Sequence, residues 1–303
     1  MSSPKRILQH LPHARCPWNG GEHVIVCDKW SVLNGNDEST AAGKRFKRRR
    51  YEDAKYRRGY SSAQDIIGEM CDDRVLDELI EQITPALNER REIIFVAPTP
   101  AFDQPSQIKL GADGKPVSMN VLPRQFAAYL ATQLGGSLDH QITQAARIGR
   151  TALVELERFL WQPVFVGTVD PAAAYVIVDD VLTLGATIAS LRSHIIRGKG
   201  TVCAAVALAH RTGRDQDLAL SAGMWERLVQ VYGEEISAFW SREIGHDASS
   251  LTEAEASRLC RWAGGLAEWM RDSALQRLRD RLFEAAGGNS QQARPRRGRA
   301  ARY

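Results

Sequence analysis

Two adjacent carboxylates separate a buried strand from a glycine loop in this chain of 303 residues. Tyr175–Val178 is an apolar run of strand type, Asp179 and Asp180 follow it, and a short loop around Gly185 leads into a helix. The first turn of such a helix presents backbone N–H groups and a favourable dipole to a phosphate. The two carboxylates repel a phosphate and suit ribose hydroxyls or a magnesium shell instead. The segment therefore predicts a site for a phosphorylated sugar.

The run from Val176 to Thr187, VIVDDVLTLGAT, resembles the phosphoribosyl-pyrophosphate (PRPP) motif of type I phosphoribosyltransferases. In that family an apolar strand, an acidic pair and one or two apolar residues precede Thr-Thr-Gly-x-Thr or a close variant. Leu184 departs from the pattern, because the family usually has Thr, Ser or Gly there. An acidic loop of some other α/β fold is the alternative. A receiver domain fits poorly, because the later strand ends in His210-Arg211 rather than in an acid.

The resemblance implies a role for each matched position. The loop and the start of the helix, which opens at Ala186 or Thr187, would bind PRPP through Thr183, Leu184, Gly185, Ala186 and Thr187. Asp179 and Asp180 would be catalytic, and would hold Mg²⁺ through ribose hydroxyls or water. A second loop, containing Pro98 and Thr99, would bind pyrophosphate. A mobile loop would supply catalytic arginines, for which the candidates are Arg150 and Arg158, with Arg147 as a weaker one; the alternative for these three is a solvated helix surface.

The resemblance therefore predicts an enzyme, a pentosyltransferase of nucleotide metabolism. It would transfer the phosphoribosyl group to a nitrogenous base and release pyrophosphate with the help of Mg²⁺. The acceptor base cannot be inferred from the chain. The alternative is a non-catalytic protein, either a PRPP- or nucleotide-sensing regulator or a DNA-uptake accessory protein that contacts nucleic acid. Competence-type family members support the accessory alternative by analogy, although the five scattered cysteines of this chain form no CxxC zinc module.

Positive charge is concentrated in two segments. Residues 44–60 carry nine Lys or Arg against two acids, and residues 289–303 carry five Arg and no acid. The net charge of the whole chain is only +4, so the remainder is acidic. Such segments favour contact with nucleic acid, and Phe46, Tyr51, Tyr56 and Tyr60 interleave the first one. The alternative is a solvated segment that only aids solubility.

Apolar strands alternate with helices from about 92 to 210, which predicts an α/β fold with a parallel sheet flanked by helices. We expect an irregular basic segment over 1–60, the α/β core with leading helices over 61–213, a helical extension over 214–288 and a basic tail over 289–303. Thr252 and Glu255 have the spacing of a helix capping box.

No apolar run long enough to span a membrane and no secretory leader are evident in the sequence. We therefore expect a cytoplasmic protein that contacts no membrane, with a second copy of the chain as a candidate partner.

Overall fold

A six-stranded, mostly parallel sheet with helices on both faces forms the centre of the protein, and further helices follow it. The computed structural model describes residues 15–19, 23–33, 54, 60–99, 120–145, 156–160, 162–264 and 273–288. The predicted α/β class is confirmed.

The main sheet has the strand order β3-β2-β6-β7-β1-β8, and all neighbours are parallel except β1 and β8. Its strands are β1 (His23–Lys29), β2 (Ile93–Val96), β3 (Ser137–Leu138), β6 (Ala174–Leu182), β7 (Thr201–His210) and β8 (Gln216–Asp217). A separate antiparallel pair consists of β4 (Thr143–Gln144) and β5 (Phe165–Val166).

The described helices fall into two groups, those that pack on the sheet and those that follow it. The sheet-associated helices are α1 (Trp30–Leu33), α2 (Tyr60–Met70), α3 (Asp73–Asn88), α4 (Leu122–Leu134) and α6 (Ala186–Arg197). The short helix α5 (Glu157–Leu160) precedes α6 in the chain but packs with the later group. The later helices are α7 (Ala222–Tyr232), α8 (Ile236–Glu243), a 3₁₀ turn (Ala248–Ser250), α9 (Glu253–Gly264) and α10 (Ala274–Gly288).

Strand β6 is apolar on both faces because helices cover both faces of the sheet. Val176 and Val178 belong to the core formed with α2, α3 and α4, whereas Tyr175 and Ile177 belong to the core formed with α6. Ile177 lies opposite Val96 of β2 and Ala205 of β7, so the strand is central. The acidic pair therefore stands at the carboxyl edge of a rigid, fully packed strand.

Two strands of this sheet come from outside the range 61–213 that was predicted for the core. Strand β1 pairs in parallel with β7, with Val24 opposite Ala205, and β8 adds antiparallel to its other side. The apolar run of His23–Cys27 predicts a strand, and in the structure this strand lies inside the main sheet with Val24 and Val26 fully buried.

A third apolar core unites α5 with the helices from α7 onward. Trp240 is fully buried in it and packs edge-on against Phe159 of α5, with ring centroids 5.5 Å apart. Leu259, Leu278 and Leu282 of the C-terminal helices are also fully buried there. Among the described residues, no helix is both long and apolar enough to traverse a membrane.

Candidate functional site

The acidic pair lies at the carboxyl end of β6 and is largely buried. Asp179 is 9% exposed and Asp180 is 8% exposed. Successive side chains of a strand point to opposite faces of the sheet, so the two carboxylates diverge. Asp179 Oδ1 accepts a hydrogen bond from the backbone N–H of Asp180 at 2.9 Å. Each carboxylate is thus held by its surroundings in a fixed direction.

Asn120 is the polar partner of Asp180. Its Nδ2 donates to Asp180 Oδ2 at 2.6 Å, and its Oδ1 accepts from the backbone N–H of Leu122 at 3.3 Å. The amide therefore links the start of α4 to the end of β6. Sequence reasoning missed Asn120. An Asn just before a helix whose first turn contains Pro123 is a helix-start signal, but nothing local pairs it with an acid about 60 positions later.

The loop after β6 is a tight turn into α6, as predicted. Gly185 has φ +75° and ψ 0°, a left-handed conformation that residues with a Cβ adopt only at a cost. The helix begins at Ala186, and its first turn closes with the N–H of Ala189 donating to the Gly185 carbonyl at 2.9 Å. Thr183 is exposed, whereas Gly185 and Ala186 are buried.

Residues from the C-terminal half of the chain cover this loop. The hydroxyl of Thr252 donates to the carbonyl oxygen of Leu184 at 2.5 Å. A Cβ built on Gly185 would lie 2.7 Å from Leu218 Cδ2 and 3.2 Å from Thr252 Cγ2. The loop is therefore packed against the segment that leads into α9.

Thr252 and Glu255 form the capping box that their spacing predicts. The backbone N–H of Glu255 donates to Thr252 Oγ1 at 3.1 Å, and the backbone N–H of Thr252 donates to Glu255 Oε2 at 3.0 Å. The contact of Thr252 with Leu184 is additional to this cap and is not apparent from the sequence.

A buried ionic network continues from the cap. Arg15 donates to both carboxylate oxygens of Glu255, at 2.5 and 3.0 Å, and also to the side-chain oxygen of Gln162. Arg15 is 6% exposed and Glu255 is 1% exposed. Burial alone would raise the pKa of Glu255, but the charge and hydrogen bonds of Arg15 and the N–H of Thr252 hold that pKa below its ordinary value. This network was not predictable from local sequence patterns, because its members are far apart along the chain.

His246 lies close to this network and is 5% exposed. Burial, reinforced by the positive charge of Arg15, lowers the pKa of His246 to about 4. Its Nδ1 lies 2.9 Å from the carbonyl oxygen of Asp247, so the neutral imidazole donates there. We conclude that His246 is a neutral structural residue at physiological pH.

The other predicted site residues are placed as follows. Pro98 and Thr99 follow β2, the parallel neighbour of β6, and therefore lie at the same edge of the sheet as the acidic pair. The carbonyl of Thr99 accepts from the N–H of Gln144, which fastens this turn to β4. Arg158 lies on α5, whose neighbouring Phe159 is buried in the third core. Arg147 and Arg150 lie outside the described residues, as do the two basic segments apart from Ala54 and Tyr60.

Two curated proteins are similar to parts of the chain, and no family model matches it. Protein TraN of Escherichia coli is 36% identical over 140 residues, which are 46% of this chain and 31% of that protein. An uncharacterized protein of Haemophilus influenzae is 35% identical over 83 residues, which are 27% of this chain and 19% of that protein. The chain thus spans less than a third of the length of each relative it matches.

These findings contradict the predicted family and reaction. Neither relative is named as a phosphoribosyltransferase and no family model supports one, so the predicted transfer of a phosphoribosyl group in nucleotide metabolism is wrong. The physical reason lies in the motif, which specifies a strand, an acidic pair and a glycine turn into a helix. Several α/β folds need that geometry for backbone reasons alone. Here Leu184 replaces a hydroxyl residue, and Leu218 and Thr252 pack on the turn.

The comparisons do not test the other predictions made from the sequence. Five of them stay predictions: catalysis of any reaction, Mg²⁺ at Asp179 and Asp180, a role for Arg158, a cytoplasmic location and pairing with a second copy of the chain. The alternative of an accessory protein agrees better with the comparisons.

Proposed function

We propose that this chain is an accessory protein of DNA uptake or transfer, and that it contacts nucleic acid through the basic segments 44–60 and 289–303. The observation that carries the proposal is the concentration of charge, nine Lys or Arg against two acids in 44–60 and five Arg in 289–303. The similarity to Protein TraN supports an accessory role better than it supports a phosphoribosyltransferase.

Two residues of the first basic segment, Ala54 and Tyr60, belong to the part of the chain that the structure describes. Ala54 is fully buried in the same apolar core as Leu33 of α1 and Ile67 of α2. Tyr60, at the end of the segment, is the first residue of α2. The run Arg48–Arg50 precedes Ala54 by only four to six positions. This anchoring supports a contact made beside the sheet domain rather than by a remote tail.

The chemistry of the segment suits single strands. Lys and Arg side chains neutralise phosphates and release condensed counterions, so the affinity falls with salt. Aromatic side chains between the cations can stack on unpaired bases, which adds about 1–3 kcal/mol per base. Phe46, Tyr51 and Tyr56 occupy such positions in the sequence. The rest of the chain is net acidic and would repel phosphates, so contact is expected to be confined to the basic segments.

The test is fluorescence anisotropy with labelled single-stranded and duplex oligonucleotides at increasing KCl. We expect salt-dependent binding that is tighter for the single strand. The triple variant Arg48→Gln, Arg49→Gln, Arg50→Gln should weaken binding and reduce the slope of log K against log[salt] by about 2, since each phosphate contact contributes about 0.7 for a single strand.

A matched control removes the same charge elsewhere. Lys199, Arg261 and Arg281 are exposed on the described surface, and their combined replacement by Gln lowers the net charge equally. The control should retain the affinity and the slope of the unmodified protein. Equal losses in both triple variants, or no salt-sensitive binding at all, would show that the proposal is wrong.

A further inference from the structure

Three metal-ligating side chains meet at the edge of the sheet, away from the acidic pair. His23 begins β1, Glu78 lies on α3 and Asp215 precedes β8, and one ligand atom from each lies within 4.8 Å of the others. We propose that these residues bind one divalent transition-metal ion, with Zn²⁺ as the expected occupant and water as a further ligand.

The distances between the ligand atoms fit such an ion. His23 Nε2 lies 3.5 Å from Glu78 Oε1 and 3.9 Å from Asp215 Oδ2. Tetrahedral Zn²⁺ holds nitrogen and oxygen ligands at about 2.0–2.2 Å, which separates neighbouring ligand atoms by about 3.4 Å. The two distances from His23 Nε2 are within about 0.5 Å of that separation, and the ligand atoms of Glu78 and Asp215 lie within 4.8 Å of each other.

The second polar atom of His23 and of Glu78 is held by another residue. His23 Nδ1 lies 2.9 Å from Asp217 Oδ1, which fixes the ring and leaves Nε2 directed at the two carboxylates. Glu78 Oε2 accepts from Arg74 Nη1 at 3.2 Å and leaves Oε1 on the side of His23. A carboxylate that orients a metal-binding imidazole in this way is the usual outer partner of a zinc ligand.

Asp215 is oriented by the backbone of β1. Its Oδ1 accepts from the N–H of Val26 at 2.6 Å, and its Oδ2 is the atom that approaches His23. Arg74 Nη2 donates to the carbonyl of the same Val26 at 2.8 Å. Val26 lies beyond His23 and Val24, the two residues of β1 that pair with β8, so Asp215 and Arg74 bind a part of the β1 edge that β8 does not cover.

The local charge also matches a divalent ion. The carboxylates of Glu78, Asp215 and Asp217 oppose the single guanidinium of Arg74, which lies 3.6 Å from Asp215 Oδ2. With His23 neutral, two negative charges remain for the metal to neutralise. An imidazole with carboxylates suits Zn²⁺, whereas Mg²⁺ and Ca²⁺ prefer oxygen ligands alone. The ligand side chains are 26–35% exposed, so solvent gives the ion access.

The bound ion would join β1, α3 and the segment before β8, and would thereby close the open edge of the sheet. The competing arrangement is an ion-pair network in which Arg74 and a protonated His23 neutralise the carboxylates without a metal. The ion-pair network predicts no zinc binding at these residues, whereas the metal site predicts zinc binding that is lost when the imidazole is removed.

The experiment is isothermal calorimetry of Zn²⁺ with the full chain after removal of metals by a chelator, with Mg²⁺ as the comparison ion. We expect one Zn²⁺ per chain, an affinity at least about 100-fold lower in His23→Gln, and no change in His140→Gln. His140 is an exposed histidine whose ring lies beside Arg124 and which does not belong to the group of three ligands, which makes it a matched control.

Asp217→Asn tests the positioning role. It should weaken Zn²⁺ binding by about 10–100-fold and change the visible absorption spectrum of the Co²⁺-substituted protein, which a purely structural residue would leave unchanged. Glu78→Gln provides the same comparison as His23→Gln if circular dichroism shows that the histidine variant is unfolded. Zinc binding that is equal in the unmodified protein and in a folded His23→Gln or Glu78→Gln variant would overturn the proposal.

Discussion

The hydroxyl of Thr252 binds the carbonyl oxygen of Leu184 at 2.5 Å while it caps its own helix. The hydroxyl oxygen of Thr252 also accepts a hydrogen bond from the backbone N–H of Glu255 at 3.1 Å, so this one side chain is both donor and acceptor. Leu184 belongs to the glycine loop after β6, and Thr252 precedes α9. This relationship joins the carboxyl edge of the sheet to the C-terminal helices.

Thr252→Val should remove both hydrogen bonds while preserving the shape of this fully buried side chain. We expect a loss of about 1–2 kcal/mol in the free energy of unfolding, because the helix cap is lost and the half-buried carbonyl of Leu184 loses the Thr252 hydroxyl as its partner. Urea denaturation measures it. Thr84→Val is the matched control, since Thr84 is exposed and its hydroxyl donates to the Ile80 carbonyl of its own helix. A loss no larger than that of the control would contradict the proposed link.

Gly185→Ala should destabilise the protein for two separate reasons. Its φ of +75° is unfavourable for an L-residue, and the new Cβ would approach Leu218 Cδ2 to 2.7 Å. We expect a cost of about 1–3 kcal/mol in urea denaturation. Gly68→Ala is the control, because Gly68 lies inside α2 with open space around it, and this change should stabilise by about 0.5–1 kcal/mol.

Leu218→Ala distinguishes the two causes of the Gly185→Ala effect. In that background the steric overlap is relieved and only the backbone strain remains, so Gly185→Ala should cost less than it does with Leu218 present. An equal cost in both backgrounds would show that the contact with Leu218 is not tight.

Local patterns predicted the elements that build the candidate site. The apolar run predicts the strand, and the acidic pair lies near its carboxyl end. Gly185 predicts the left-handed turn that follows, and the observed helix begins at Ala186 as expected. The capping box of Thr252 and Glu255 was predictable for the same reason, since its two hydrogen bonds span only three residues.

Contacts between distant residues were not predictable. Thr252 and Leu184 are 68 positions apart, and Asn120 and Asp180 are 60 apart, so no periodicity relates them. Sequence reasoning assigns strand β1 to the irregular segment 1–60, because its parallel partner β7 lies in the other half of the chain and nothing local relates the two. The same limit explains why the predicted family is wrong. The motif is set by neighbouring residues, whereas the identity of a bound ligand depends on distant residues, such as Leu218 and Thr252, that pack over the loop.

His246 should make the stability of the protein depend on pH. Its pKa is lowered from 6.5 to about 4 by burial, so above pH 6.5 it is neutral in both the folded and the unfolded chain. As the pH falls from 6.5 towards 4, only the unfolded chain takes up the proton, and stability is lost, by up to about 3 kcal/mol at roughly 1.4 kcal/mol per pKa unit.

His246→Gln removes this titration, so its stability should fall less steeply between pH 6.5 and 4 than that of the unmodified protein. Urea denaturation at several pH values in this window measures the slope. The exposed His140→Gln should keep the original slope. Parallel pH profiles for His246→Gln and the unmodified protein would contradict the burial of a neutral imidazole.

Arg15 and Glu255 form an ion pair that is almost completely buried, with side-chain exposures of 2% and 1%. Separating such a pair leaves one charge unpaired in an apolar setting, which costs more than the pair itself contributes. Glu255 is also the acceptor of the Thr252 N–H, so the pair stabilises the start of α9 and, through Thr252, the Leu184 loop.

Arg15→Met should therefore cost about 3–5 kcal/mol in the free energy of unfolding, measured by urea denaturation at neutral pH, because the Glu255 carboxylate is left buried and unpaired. The double variant Arg15→Met, Glu255→Gln should recover part of that loss, since Gln is neutral and still accepts the N–H of Thr252. Arg281→Met is the control, because Arg281 pairs with Glu284 at 2.8 Å while both side chains are more than 60% exposed, and it should cost under about 0.5 kcal/mol. If the double variant is less stable than Arg15→Met, the cost of the single change comes from lost packing of the Arg15 side chain rather than from an isolated charge.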